Sequence, residues 1–251
     1  MQSDTRFENT GRSFPATRHS VVRAVADADP GVRRAAFDAL IASYWKPVYK
    51  YLRVKWRLAA EDAEDVTQEF FARALEKGTF AGYDPDRARF RTFLRTCLDR
   101  FAANERKAAG RLKRGGGAAL LSLDFPGAEG ELAHQEIPDS LSMDEYFHRE
   151  WVRSLFARAV EALQAECSNA GKEVQFRLFE RYDLDPPAGE ERVTYAELAR
   201  EHGVTAVQVT NWLAAVRRDF RRQVLAALAE LTGSEEEFRA EARQILGIVP
   251  P

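Results

Sequence analysis

The sequence predicts an all-α protein of two helical domains joined by a flexible acidic linker, the second domain ending in a helix-turn-helix. Three observations predict it. Apolar residues recur at helical spacing through most of the 251 residues, and no stretch of useful length alternates with the period of a strand. Cap residues and turn residues fall where helices should start and stop. Between Leu120 and Asp144 periodicity is lost, and Asp124, Glu129, Glu131, Glu136, Asp139 and Asp144 mix with Pro126, Gly127, Gly130 and Pro138. The expected domains are therefore 14–117 and 146–231, with a linker over 118–145 and a tail over 232–251.

The elements follow in order. Met1 to Arg12 is polar, and Thr17 can cap a short helix reaching Ala26. Asp29 before Pro30 starts a helix toward Tyr44 whose buried face would hold Val32, Ala36, Phe37, Leu40 and Ile41. Tyr44 to Leu52 continues it with a break expected at Pro47. The acidic run from Glu61 to Leu75 reads as a helix with Val66, Phe70, Phe71 and Leu75 inward, and Asp65, Gln68, Glu69 and Arg73 outward. After a turn at Tyr83-Asp84-Pro85 a basic helix begins near Arg87, with Phe90, Phe93, Leu94, Cys97, Leu98 and Phe101 on its apolar face. Gly115-Gly116-Gly117 ends that block.

A second unit opens near Tyr146 with a stripe of Trp151, Val152, Leu155, Phe156, Ala159, Val160 and Leu163. A helix covers about Lys172 to Tyr182, and Asp185-Pro186-Pro187 is a loop. Thr194 with Glu197 then forms a capping box, Ala199 is small enough for a close crossing, Gly203 turns the chain, and Thr205 caps the next helix. Val209 and Leu213 pack that helix back, which makes a helix-turn-helix. The tail carries a short amphipathic helix around Phe238, Ile245 and Leu246.

Charge narrows the function. The net charge is −2, yet the sign is segregated: Arg87, Arg89, Arg91, Arg95, Arg100, Arg106, Lys107, Arg111, Lys113 and Arg114 face only Asp99 and Glu105. An acidic helix beside a basic one calls for two partners, a protein and DNA. On the basic helix Arg91, Arg95, Arg100, Asn104, Arg106, Lys107 and Arg111 are candidate DNA contacts, suited to phosphate neutralisation and capture of unstacked bases. Phe93 is open to either core packing or base stacking. The helix-turn-helix adds Thr205, Gln208, Thr210, Asn211, Arg217, Arg218 and Arg221 as DNA-binding candidates, with Ala214 on the same face; amides and guanidinium groups read base edges in a major groove.

Other chemistries lack their residues. Cys97 and Cys167 stand far apart with no second Cys or His at ligand spacing, so they read as free thiols of a reducing cytosol. The acidic helix has carboxylates at i, i+4 but no nearby His to complete a metal site. Nucleophile motifs and phosphate-cradling glycine loops are absent. We expect no cofactor, no metal and no catalysis. With no apolar run long enough for a bilayer and no secretory h-region behind the N-terminus, the expected setting is cytoplasmic, without membrane contact.

Several motifs together carry a resemblance. Tyr44-Trp45-x-Pro47-Val48-Tyr49-x-Tyr51-Leu52, Asp62-Ala63-Glu64-Asp65-Val66-Thr67-Gln68-Glu69-Phe70-Phe71, Phe90-Arg91-x-Phe93-Leu94 and the closing helix-turn-helix resemble bacterial RNA polymerase sigma factors of the extracytoplasmic-function type. The opening Phe14-Pro15-x-Thr17-Arg18 resembles a branch known from planctomycetes. The resemblance spans about Phe14 to Leu231. It implies that Asp65, Gln68, Glu69 and Arg73 dock on the clamp helices of the largest catalytic subunit of core RNA polymerase. It implies that the basic helix and the loop near Asn104 melt and hold the −10 promoter element, that the second domain binds the −35 element, and that the linker threads toward the active-site and RNA-exit region. Promoter DNA, double- and single-stranded, would be the second partner, and an anti-sigma factor a third. Trp212 and Ala214 depart from the family, where basic residues are common. Two other readings fit the residues: a stand-alone helix-turn-helix repressor, and a metal-dependent nuclease using Glu61 to Glu69.

Overall fold

The computed structural model describes residues 20–108, 123–185 and 193–248. Among them there is no strand, and the all-α class stands. The helices are α1 (Val21–Ala24), α2 (Pro30–Lys55), α3 (Ala60–Glu76), α4 (Phe90–Ala108), α5 (Phe125–Ala133), α6 (Met143–Asn169), α7 (Glu173–Phe179), α8 (Tyr195–His202), α9 (Ala206–Glu230) and α10 (Glu235–Leu246). A 3₁₀ turn (Thr79–Gly82) precedes α4, and a π-helical turn (Glu180–Leu184) follows α7.

Helix α2 is the pillar of the first core. Asp29 caps it, its carboxylate accepting from Gly31 N at 2.7 Å and Val32 N at 3.1 Å, and Pro30 occupies the first turn, where no donor is lost. Leu40, Tyr44, Val48 and Leu52 are wholly buried, whereas Val32, expected on that face, is 44% exposed. The break expected at Pro47 does not occur: the helix runs straight through to Lys55. An interior proline costs about 3 kcal/mol. Here its neighbours Tyr44, Val48 and Tyr49 are buried against α3, α5 and α6, and that packing outweighs the lost hydrogen bond.

On α3 the buried stripe is Ala63, Thr67, Phe70, Phe71 and Ala74. Val66 and Leu75, read as inward, are only half-buried at its edges. Thr67 fits inside because its hydroxyl donates to the Ala63 carbonyl at 2.7 Å. Phe70, Phe80, Phe90, Leu94 and Leu98 complete the wall between α2, α3 and α4.

The segment read as a flexible linker carries a helix instead. α5 seats Phe125 against Trp45 and Tyr49, with ring centroids 5.4 and 5.1 Å apart. Its acids face the cations of α2: Glu129 accepts from Arg53 Nε at 2.9 Å, and Glu131 from Lys46 and Lys50 at 2.7 Å each. Composition suggested a solvated spacer, but the carboxylates are spaced to meet the basic side chains of a neighbour. Lys50 is buried and also donates to the buried Glu150 of α6 at 2.9 Å, which knots three helices together.

Two helices cross the expected domain boundary. α6 puts Tyr146, Phe147, Trp151, Leu155 and Ala159 in the first core, and Leu163 and Cys167 in a second with Phe176, Leu178, Phe179, Leu198, Val209, Leu213 and Val216. α9 continues past the helix-turn-helix, and its Val224 and Leu228 join the first core. The stretch read as a tail also belongs there: Phe238 and Ala242 of α10 are buried in it.

Candidate nucleic-acid and partner interfaces

The acidic face lies on α3. Asp65 is exposed, and Gln68, Glu69 and Arg73 are partly so. Arg73 bonds Glu69 at 2.6 Å and Glu105 of α4 at 2.7 Å, and lies 5.4 Å over the Phe101 ring. Glu69 and Arg73 thus fix the α3–α4 seam, while Asp65 and Gln68 keep their hydrogen-bonding groups free among the described residues.

The basic helix divides into two halves. In its first half the cations are spent internally, against the reading of Arg91 and Arg95 as DNA contacts. Arg91 is largely buried, stacked 5.1 Å over Trp151 and paired with the buried carboxylate of Glu241. Burial and the neighbouring Arg89 pull its guanidinium down to about 10. Arg95 bonds Asp99 at 3.2 Å and Asp144 at 2.8 Å. A cleft of about 340 Å³ opens between Arg89, Arg91, Arg95, Asp144, His148 and Gln244, but its charges answer one another. In the second half Arg100, Asn104 and Lys107 are exposed one helical turn apart, with Arg106 beside them, and none has a side-chain hydrogen bond or ion pair among the described residues. Arg111 lies outside the described residues, as do Thr17, the opening motif and the triple glycine. Phe93 is half-buried between Tyr83 and Phe90, so it packs as core.

Helices α8 and α9 start where the caps placed them. Thr194 and Glu197 close one capping box, Thr205 and Gln208 a second, and Gly203 sits at φ 65° in the left-handed region the turn requires. The caps consume groups read as DNA contacts. Gln208 Oε1 accepts from Thr205 N at 2.9 Å and from its hydroxyl at 3.0 Å, and the Thr210 hydroxyl donates to the Ala206 carbonyl at 3.0 Å. Arg217 is held too: it grips Asp183 of the π turn with two bonds, at 2.8 and 3.0 Å, and stacks 5.5 Å over Tyr182. The Asp183 bonds push its guanidinium up. Asn211, Arg218 and Arg221 remain exposed and unengaged among the described residues.

Sequence reading missed Glu237 and Glu241. One signal was available: Glu241 stands in the apolar stripe Phe238, Ala242, Ile245 of α10, where a carboxylate demands a buried cation. Nothing in the sequence pointed to Asp183. Both thiols are free, Cys167 buried and Cys97 half-buried. Among the described residues no helix is long and apolar enough to cross a membrane, and no group of three His, Cys, Asp or Glu gathers as a metal site.

An acidic helix and a basic helix share one core, and each keeps charged side chains at the surface. Residues 40–112, from the middle of α2 to beyond α4, match the family Sigma-70 region 2. That match supports a sigma-70 factor with roles in promoter recognition and RNA polymerase binding. No curated protein and no solved structure matches the chain.

Proposed function

We propose that the chain is a cytoplasmic sigma factor of the extracytoplasmic-function type, of the branch known from planctomycetes, which lends core RNA polymerase its promoter choice and has no catalysis of its own. The observation that carries the proposal is the pairing, within residues 40–112, of the acidic face of α3 with the unengaged Arg100–Asn104–Lys107 stripe of α4. Asp65 and Gln68 meet the clamp helices of the largest subunit, with Glu69 and Arg73 shaping that surface. The second half of α4 takes the −10 element: cations hold phosphates, and the Asn104 amide pairs with a base drawn from the stack, offsetting an unstacking cost of a few kcal/mol. The helix-turn-helix takes the −35 element, and an anti-sigma factor is a further partner.

The test is reconstitution. The purified chain should bind core polymerase and direct initiation from a defined subset of promoters, and Asn104→Ala should lose permanganate reactivity of the melted strand more than duplex retention on filters. A palindromic footprint without polymerase would instead make it a repressor, and magnesium-dependent DNA cleavage would make it a nuclease.

A further inference from the structure

One face of α9 carries Val207, Thr210, Asn211, Ala214, Arg218 and Arg221, spaced i, i+3, i+4, i+7, i+11 and i+14, and all six are exposed. Val207 is the extreme case, 69% exposed where the other exposed large hydrophobics lie between 37 and 44%. A lone exposed valine needs no explanation in general; this one has a telling position. It is the second residue of the helix, opposite the buried Val209, Leu213 and Val216, at the end where the second helix of such a motif meets base edges.

The neighbouring polar groups narrow the chemistry. The capping box occupies Gln208 Oε1, Asp183 holds Arg217, and the Thr210 hydroxyl is turned back to its own helix. What remains free to meet bases at this end is the Val207 isopropyl group, the Asn211 amide and the Nε2 amino group of Gln208. An apolar group in the major groove recognises the C5 methyl of thymine, and an asparagine amide pairs with N6 and N7 of adenine. We propose that Val207 is a specificity residue that reads a thymine methyl group, with Asn211 on an adenine beside it and Arg218 and Arg221 on backbone phosphates. This deepens the promoter-binding reading above and rests on it.

Deoxyuridine tests it by deleting only the methyl group. Duplexes would be selected from an upstream-randomised library with the full chain bound to core polymerase, and each thymine of the enriched element replaced singly by deoxyuridine. One replacement should weaken wild-type binding about fourfold, the equivalent of one buried methyl group. At that position Val207→Ala should bind thymine and uracil alike, while Val207→Ile keeps the difference. Because Val207 touches no core, both variants should melt like the wild type. Enrichment without methyl dependence, or a dependence that survives Val207→Ala, overturns the proposal alone. Failure to enrich any upstream sequence overturns the promoter reading with it.

Discussion

The carboxylate of Glu241 lies against the guanidinium of Arg91, 150 positions earlier in the chain. Glu241 is buried and Arg91 largely so, and Arg89 reaches the same oxygen at 2.9 Å. One turn earlier on α10, Glu237 accepts from the Phe90 amide at 3.0 Å, the Gly233 amide at 2.7 Å and the Tyr83 hydroxyl at 3.1 Å. An acid at the start of α4 also suits the positive end of that helix dipole. The last helix therefore completes the first core, and it takes Arg91 out of the set available to DNA.

Removing one member of this buried pair leaves the other uncompensated. Glu241→Ala should cost about 3–5 kcal/mol of unfolding free energy in urea titration. Arg91→Ala should cost a similar amount, and the double variant less than their sum. If Arg91→Ala instead left stability unchanged and lowered DNA affinity, the assignment of Arg91 to the core would be wrong.

Gly233 sits where no side chain fits. A Cβ there would lie 2.6 Å from the Tyr83 ring, which Phe90 and Phe93 hold in place. Its carbonyl also accepts from Arg23 Nε at 2.6 Å, tying the α9–α10 junction to α1. Gly233→Ala should cost about 1–3 kcal/mol through overpacking, visible as a lower thermal midpoint. Gly82→Ala, with open space around it, should be close to neutral apart from its effect on chain entropy.

His148 provides a pH signature. Burial, then Arg91 and Arg89, depress it to about 4. The unfolded chain binds a proton near 6.5 and the folded chain does not, so between those values the unfolded state carries more protons and stability falls on acidification. Discounted for partial exposure, the loss from pH 7 to pH 4 is on the order of 1–2 kcal/mol. Thermal midpoints of wild type and His148→Gln should converge in slope above pH 7 and diverge below 6, the wild type falling faster.

The docking face makes a separate claim. Asp65→Ala and Gln68→Ala remove groups that nothing in the described chain uses, so both variants should melt like the wild type. Each should lose about 1.5–3 kcal/mol of affinity for core polymerase if its hydrogen bond meets a charged partner. Titrated pull-downs with unchanged affinity would move the docking site elsewhere.

Helix periodicity and caps were legible from sequence because they are local: Asp29, Thr194 and Thr205 each bond within three residues of themselves. What stayed hidden was pairing across the chain. Composition suggested that Glu129 and Glu131 were solvated, since only the fold brings Arg53, Lys46 and Lys50 to them. A count of positive charge likewise could not separate Arg91 and Arg95, spent on internal carboxylates, from Arg100 and Lys107. Pro47 failed as a breaker because tertiary packing overrides a local propensity.

Arg217 tests the same distinction at the other end of the molecule. As a base reader it would sit on the helix-turn-helix surface; instead its two bonds to Asp183 join α9 to the π turn, and its plane covers Tyr182. Part of this pair is exposed, so its contribution is modest, about 1 kcal/mol for a well-formed bidentate contact. Arg217→Ala should lower stability by that amount. Upstream base preference, read from a randomised promoter library, should stay as in the wild type. The slope of log affinity against log salt should also hold, because no phosphate contact is removed. Arg218→Ala is the control: it should leave the melting curve alone and reduce that slope by about one unit, equally for all sequences. A loss of upstream preference in Arg217→Ala, with stability intact, would return Arg217 to the groove.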